Sequence, residues 1–112
     1  MPLTVKQRRV FFYRDKHGSE PAKEYFNKLK DKVGKIKIQK KVLKSSFGNF
    51  GTEGVGYRHI KNDLWELKIN LGPGYRVYFK INSDQKLLIL RIGTKKTQKN
   101  DIKKSLEYLG EL

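Results

Sequence analysis

The chain has 112 residues, 26 of them lysine or arginine against 11 aspartate or glutamate, for a formal net charge of +15. That length fits one domain, 1–112, able to bury roughly two-thirds of the surface its extended chain would expose. The charge opposes compaction and favours an anionic partner, the lack of cysteine excludes disulfides and thiolate metal sites, and no run nears the ~18 apolar residues of a membrane span.

Val5 to Tyr13, rich in β-branched and aromatic residues, reads as a first strand, and Gln7, Arg8 and Arg9 within it predict an edge position. After a turn at Asp15 to Ser19, Ser19 is the expected N-cap of a helix with Pro21 in its first turn. Ala22, Tyr25, Phe26, Leu29 and Val33 supply its apolar stripe, and Gly34 is the expected break. A second helix from Lys35 to about Ser46 gathers Ile36, Ile38, Val42 and Leu43 on one side. Lys37, Lys40, Lys41 and Lys44 fall on its other side at i, i+3, i+4 and i+7.

Phe47 to Gly56 holds four of the ten glycines and reads as a connecting loop, after which Tyr57 to Ile60 opens a strand. Leu64 to Leu71 alternates: Trp65, Leu67, Ile69 and Leu71 point one way, Glu66, Lys68 and Asn70 the other. Gly72-Pro73-Gly74 is a turn, and Tyr75 to Ile81 alternates again. A three-residue loop predicts Asn70 opposite Arg76 and Lys68 opposite Tyr78. Leu87 to Ile92 is apolar on both faces, the mark of a central strand, and Asp101 to Leu109 is a terminal helix. The order β-α-α-β-β-β-α implies an α+β fold, a mainly antiparallel sheet with helices packed on one face.

The opposite face then carries Lys68, Arg76, Tyr78 and Lys80, with the Lys95-Lys96 pair beyond the last strand. Arginine offers a planar fork to phosphate and lysine a point charge. Such a set suits metal-free RNA cleavage, in which a 2′-hydroxyl attacks the adjacent phosphate and cations stabilise the phosphorane. A metal-dependent nuclease would want clustered carboxylates. The bland alternative is a solvated polar face, with the helix lysines as general electrostatic surface and Glu66 and Lys80 as a cross-strand ion pair. Histidine is a residue type suited to acid–base work, which makes His59 a candidate, although a lone histidine beside a strand is more often structural. His17 and His59, without cysteine, do not make a zinc site, so no metal and no organic cofactor is expected.

Several motifs resemble the RelE/ParE toxin superfamily, closest to its HigB-like addiction module killer branch. They are Gly48-Asn49-Phe50-Gly51, Tyr57-Arg58-His59-Ile60, Leu64-Trp65-Glu66-Leu67-Lys68-Ile69, Gly72-Pro73-Gly74-Tyr75-Arg76-Val77-Tyr78-Phe79, and Lys95-Lys96-Thr97-Gln98 followed by Asp101-Ile102. The resemblance implies a type II toxin that cleaves mRNA in the ribosomal A site and forms a hetero-oligomer with an antitoxin encoded beside it. It gives Arg76 the scissile phosphate, makes Lys68 and Lys95 supporting catalytic cations and puts His59 in a motif often written with histidine. Lys37, Lys40, Lys41, Lys44, Tyr78, Lys80, Lys96 and Gln98 complete the candidate RNA-binding set. Where some members carry a tyrosine early in the terminal helix this chain has Ile102, leaving Gln98 or Tyr78 as the nearest polar substitutes. The rival expectations are a ParE-like inhibitor of DNA gyrase and a basic RNA- or ribosome-binding module without chemistry. In each case the expected protein is cytoplasmic and away from membranes.

Overall fold

The computed structural model describes residues 6–112. Its elements, in chain order, are β1 (Val10–Phe12), α1 (Pro21–Lys28), α2 (Lys32–Ser46), β2 (Tyr57–Lys61), β3 (Leu64–Ile69), β4 (Tyr75–Ile81), β5 (Leu87–Thr94) and, after a 3₁₀ turn at Lys95–Thr97, α3 (Gln98–Gly110). The five strands form one sheet in the order β1-β5-β4-β3-β2. All pairs are antiparallel except β1 with β5. The fold is α+β, and the first strand lies at an edge while Leu87–Thr94 lies inside, as their compositions predict. Of the expected first strand, only Val10 to Phe12 pairs, and Val5 lies outside the described residues.

Local chemistry sets the helix ends. Glu20, not Ser19, is the N-cap of α1 and makes no side-chain cap bond; the Ser19 hydroxyl donates to Glu24 instead. Helix α1 stops at Lys28, short of Val33. The Asp31 carboxylate accepts from the Gly34 amide at 2.9 Å and so caps α2 from the start of its first turn. Gly34 is therefore inside a helix, not a break. A Cβ there would stand 2.6 Å from the Tyr75 ring, so glycine is needed for α2 to lie against β4. The face of α2 that is buried carries Gly34, Ile38, Ser45 and Ser46, while Ile36 and Leu43, expected on the inner side, are exposed.

Apolar packing occupies both faces of the sheet. On one face Leu67, Ile69, Val77, Phe79, Leu87, Ile89 and Ile92 pack with Ala22 and Ile38 of α1 and α2. On the other, Leu64, Tyr78 and Leu90 pack with Ile102, Leu106, Tyr108 and Leu109 of α3. The expectation that all helices cover one face is thus corrected. Leu88 and Leu90 place apolar surface on the second face of β5, and burying it requires a cover there. A register shift between Tyr78 and Phe79 leaves Leu90 as an additional residue on β5, adding to that patch.

The β3–β4 connection is also longer than the Gly72-Pro73-Gly74 turn predicts. Asn70 leaves the ladder and donates to the Val55 carbonyl at 2.9 Å, and Leu71 is exposed. The register becomes Lys68 opposite Arg76 and Glu66 opposite Tyr78. A two-residue slip keeps every side chain on its expected face but changes its neighbour. Among the described residues, no helix is long and apolar enough to cross a membrane.

Candidate anion-binding site

The second sheet face is divided lengthwise. One end lies under α3, and the other, near the β3–β4 turn, holds cations. Arg76 points from β4 into this second part, opposite Lys68 on β3 and Gly93 on β5. Only 6% of Arg76 is exposed, yet among the described residues it makes no ion pair. One Nη donates to its neighbour's carbonyl, Tyr75, at 3.1 Å, and its Nε is buried with no partner. A guanidinium with unsatisfied donors in a poorly solvated position carries a desolvation cost that a bound anion would offset.

Two lysines flank it. Lys68 stands opposite Arg76 in the β3–β4 register, and its Nζ donates to the Gly54 carbonyl at 2.9 Å, which ties β3 to the glycine loop ahead of β2. Lys95 is exposed, and its amide donates to the Gly74 carbonyl at 2.7 Å. Gly74, at φ +74°, takes the left-handed conformation that favours glycine, and a Cβ there would face the Lys95 Cβ at 3.4 Å and an Arg76 Nη at 3.5 Å, ordinary contact distances that put turn, arginine and lysine side by side. Lys96 is exposed in the same turn.

Helix α3 begins three residues earlier than its apolar pattern predicts, and Gln98 is its first residue. Gln98 donates to Glu66 Oε2 at 2.7 Å, while Arg58 Nε donates to Oε1 of the same carboxylate at 2.8 Å. Glu66 is fully buried and pairs with Arg58, not with Lys80, whose ammonium stands 3.8 Å from Asp63. Further along α3, the Asp101 carboxylate accepts from Arg91 Nε and from the Thr97 hydroxyl, both at 2.6 Å. Gly93 leaves room for this, since any Cβ there would overlap the Asp101 carboxylate.

Of the expected catalytic set, Lys68, Arg76 and Lys95 come together and His59 does not. His59 faces Trp65 on the opposite side of the sheet, with ring centroids 4.8 Å apart, and its Nε2 contacts the Asn62 carbonyl. Of the expected RNA-binding set, Lys96 lies at the site and Gln98 is spent on Glu66. Tyr78 is not a surface residue: it is fully buried, its hydroxyl lacks a partner, and burial followed by the charge of Glu66 pushes its pKa up. Lys80 lies four residues along β4 from Arg76, at the far end. Lys37, Lys40 and Lys44 are exposed on α2, which packs on the other face of the sheet. Lys41 turns inward, donating to the Phe50 carbonyl at 2.8 Å against Gly51 and Gly56, and burial aided by the charge of Lys44 lowers its pKa.

Sequence reasoning missed Arg58 and Glu66. The signal was the alternation itself, which puts Glu66 on the same face as Lys68 and identifies an acid among cations. Among the described residues, no three His, Cys, Asp or Glu side chains gather into a metal-holding group. What the arrangement can do is bind an anion with a fork and two point charges. No family model matches the chain. Over 88 residues it is 36% identical to an uncharacterized protein of Haemophilus influenzae, a match covering 79% of this chain and 85% of that protein.

Proposed function

The chain belongs to one family with that Haemophilus influenzae protein, and from the site it carries we propose that it is a RelE-like toxin of a type II toxin–antitoxin pair, a ribosome-dependent mRNA endonuclease. The observation that carries this reading is Arg76, a buried guanidinium without a carboxylate, flanked by Lys68 and Lys95. In the proposed reaction the 2′-oxygen of one nucleotide attacks the adjacent phosphorus. Its proton passes to solvent, the P–O5′ bond breaks, and the 5′-oxygen takes a proton from Lys95. The products are a 2′,3′-cyclic phosphate and a 5′-hydroxyl. Arg76 stabilises the phosphorane oxygens, and Lys68 adds charge from the neighbouring strand.

A translated message incubated with the protein should be cut within the A-site codon, and a 2′-deoxy substitution at the cleaved nucleotide should stop the cut. Arg76→Ala should lower the rate by ~10²–10³, as loss of one transition-state donor does. Cutting that survives the 2′-deoxy substitution would overturn the mechanism.

A specific observation favours a second reading, a non-catalytic RNA- or ribosome-binding module. The carboxylates nearest the cations, Glu66 and Asp101, are both already bonded, Tyr78 is buried, and His59 faces away. No cleavage, together with ribosome binding that Arg76→Ala weakens, would establish that reading in its place.

A further inference from the structure

Two cations on this face are oriented by a buried acid, Arg91 by Asp101 and Arg58 by Glu66, but an Nη of Arg91 is also spent on the Tyr108 hydroxyl. The position of Arg58 on β2 lies opposite Glu66, so both project to the same side as Lys68 and Arg76. The carboxylate takes the Arg58 Nε, and the guanidinium makes no other bond among the described residues, which leaves both Nη groups available. The Arg58 side chain is 42% exposed while that of Glu66 is fully buried, so the charged fork is at the surface and its anchor beneath. The other oxygen of Glu66 holds Gln98, at the start of α3. One carboxylate therefore braces an edge strand, an inner strand and a helix, with Arg58 as the part that reaches solvent.

Resting on the reading of the Arg76 site as one that binds RNA, we propose that Arg58 is a second phosphate-binding residue and Glu66 its positioning residue. The backbone positions of Arg58 and Arg76 are about 12 Å apart by ordinary strand spacing and rise. Two forks at that separation, with Lys68 on the strand between them, suit two phosphodiesters of a single strand with one more between them, rather than one isolated phosphate. The buried acid serves this purpose by ordering the guanidinium before the ligand arrives. An arginine held by its Nε loses less freedom on binding than one that is free to rotate.

The brace and a simple charge effect predict opposite outcomes for one variant. Glu66→Gln removes a negative charge from a cationic face. If attraction alone governs the site, RNA binding tightens. If Glu66 orients Arg58, binding weakens although the net charge has risen.

The probe is a fluorescent RNA 12-mer with 2′-O-methyl riboses, which offers phosphates but no 2′-hydroxyl nucleophile. Its affinity is measured by anisotropy across a salt series, with circular dichroism and thermal melting as checks on folding. Arg58→Ala should weaken binding about tenfold, the value of a lost hydrogen bond to a charged group. It should also reduce the slope of log affinity against log salt by about 0.7, one phosphate contact on a single strand. Arg58→Lys should recover most of the slope and little of the affinity, because it restores the point charge without the fork. Arg58 stands half-exposed on an edge strand, so these two variants carry the test even if Glu66→Gln does not fold.

Unchanged affinity and slope in Arg58→Ala, or tighter binding by folded Glu66→Gln, would overturn the proposal and leave the Arg76 reading standing. If the wild-type protein does not bind the 12-mer, the RNA reading fails. Titration with inorganic phosphate, followed through the arginine Nε–H resonances, then decides: a shift at Arg58 that Glu66→Gln abolishes supports the braced anion site, and no shift overturns it.

Discussion

The Tyr75 hydroxyl donates to Asp31 Oδ2 at 2.7 Å and joins the start of α2 to β4. Burial, followed by this bond, raises the Tyr75 pKa to about 12, and burial with the Glu111 bond does the same for Tyr13. A phenol whose folded pKa lies above its unfolded value of ~10 adds stability that is complete below pH ~10 and lost as pH rises through 12. Stability should therefore fall between pH 10 and 12. Lysines titrate over the same range, so the informative comparison is with Tyr75→Phe, which should be less stable than wild type at pH 8 by about 1 kcal/mol, a typical net hydrogen bond. The variant should lose less on going to pH 11.5, and thermal melts at the two pH values check it; an equally steep loss would show that Tyr75 does not contribute. Asp31 titrates in the other direction. The Gly34 amide, with Tyr75 next, lowers its pKa, so its contribution holds above the unfolded value and is lost as pH falls towards acid. None of this pair was legible in the sequence, because the partners are 44 residues apart and nothing in local spacing joins them.

Helix α3 gives the polar face its shape, and the sequence showed its existence better than its place. The spacing of Ile102, Leu106 and Leu109 marks a helix, but the face it covers follows from Leu88 and Leu90, whose apolar character on a strand already read as central announces a second buried side. Its early start was hidden because Gln98 and Lys99 are polar and add nothing to an apolar stripe. The alternation in β3 and β4 gave the correct faces for Lys68 and Arg76, whereas their pairing depended on Asn70 leaving the ladder, which no periodicity records. His59 went to the opposite face because Arg58, one residue earlier, takes the inward position beside Glu66. Docking of α3 depends on Gly93, where a methyl group would meet the carboxylate of Asp101. Gly93→Ala should cost about 1–3 kcal/mol, as overpacking does, and shift the midpoint of urea unfolding. A midpoint equal to that of wild type would mean that α3 moves aside freely.

At the scale of the molecule, a formal charge of +15 on 112 residues makes long-range attraction part of any association. For an antitoxin presenting an acidic segment, the association rate should fall steeply as salt rises past 0.1 M, where the Debye length is ~10 Å. Stopped-flow mixing over a salt series checks this, and a flat rate would remove charge steering from the account. The order of strands adds a constraint of another kind. Strand β5 sits between β1 and β4, so the second strand from one edge is the last to be made. A chain emerging residue by residue from the ribosome can form the β2–β3–β4 meander early, but it can neither seat β1 nor bring Lys95 and Gln98 to Arg76 and Glu66 until residues 87–98 have also emerged. From the synthesis of Arg76 until residue 98 has emerged, the nascent chain carries Arg58, Lys68 and Arg76 without the turn and helix that complete their surroundings, so the cationic site is assembled only after all five strands have been made.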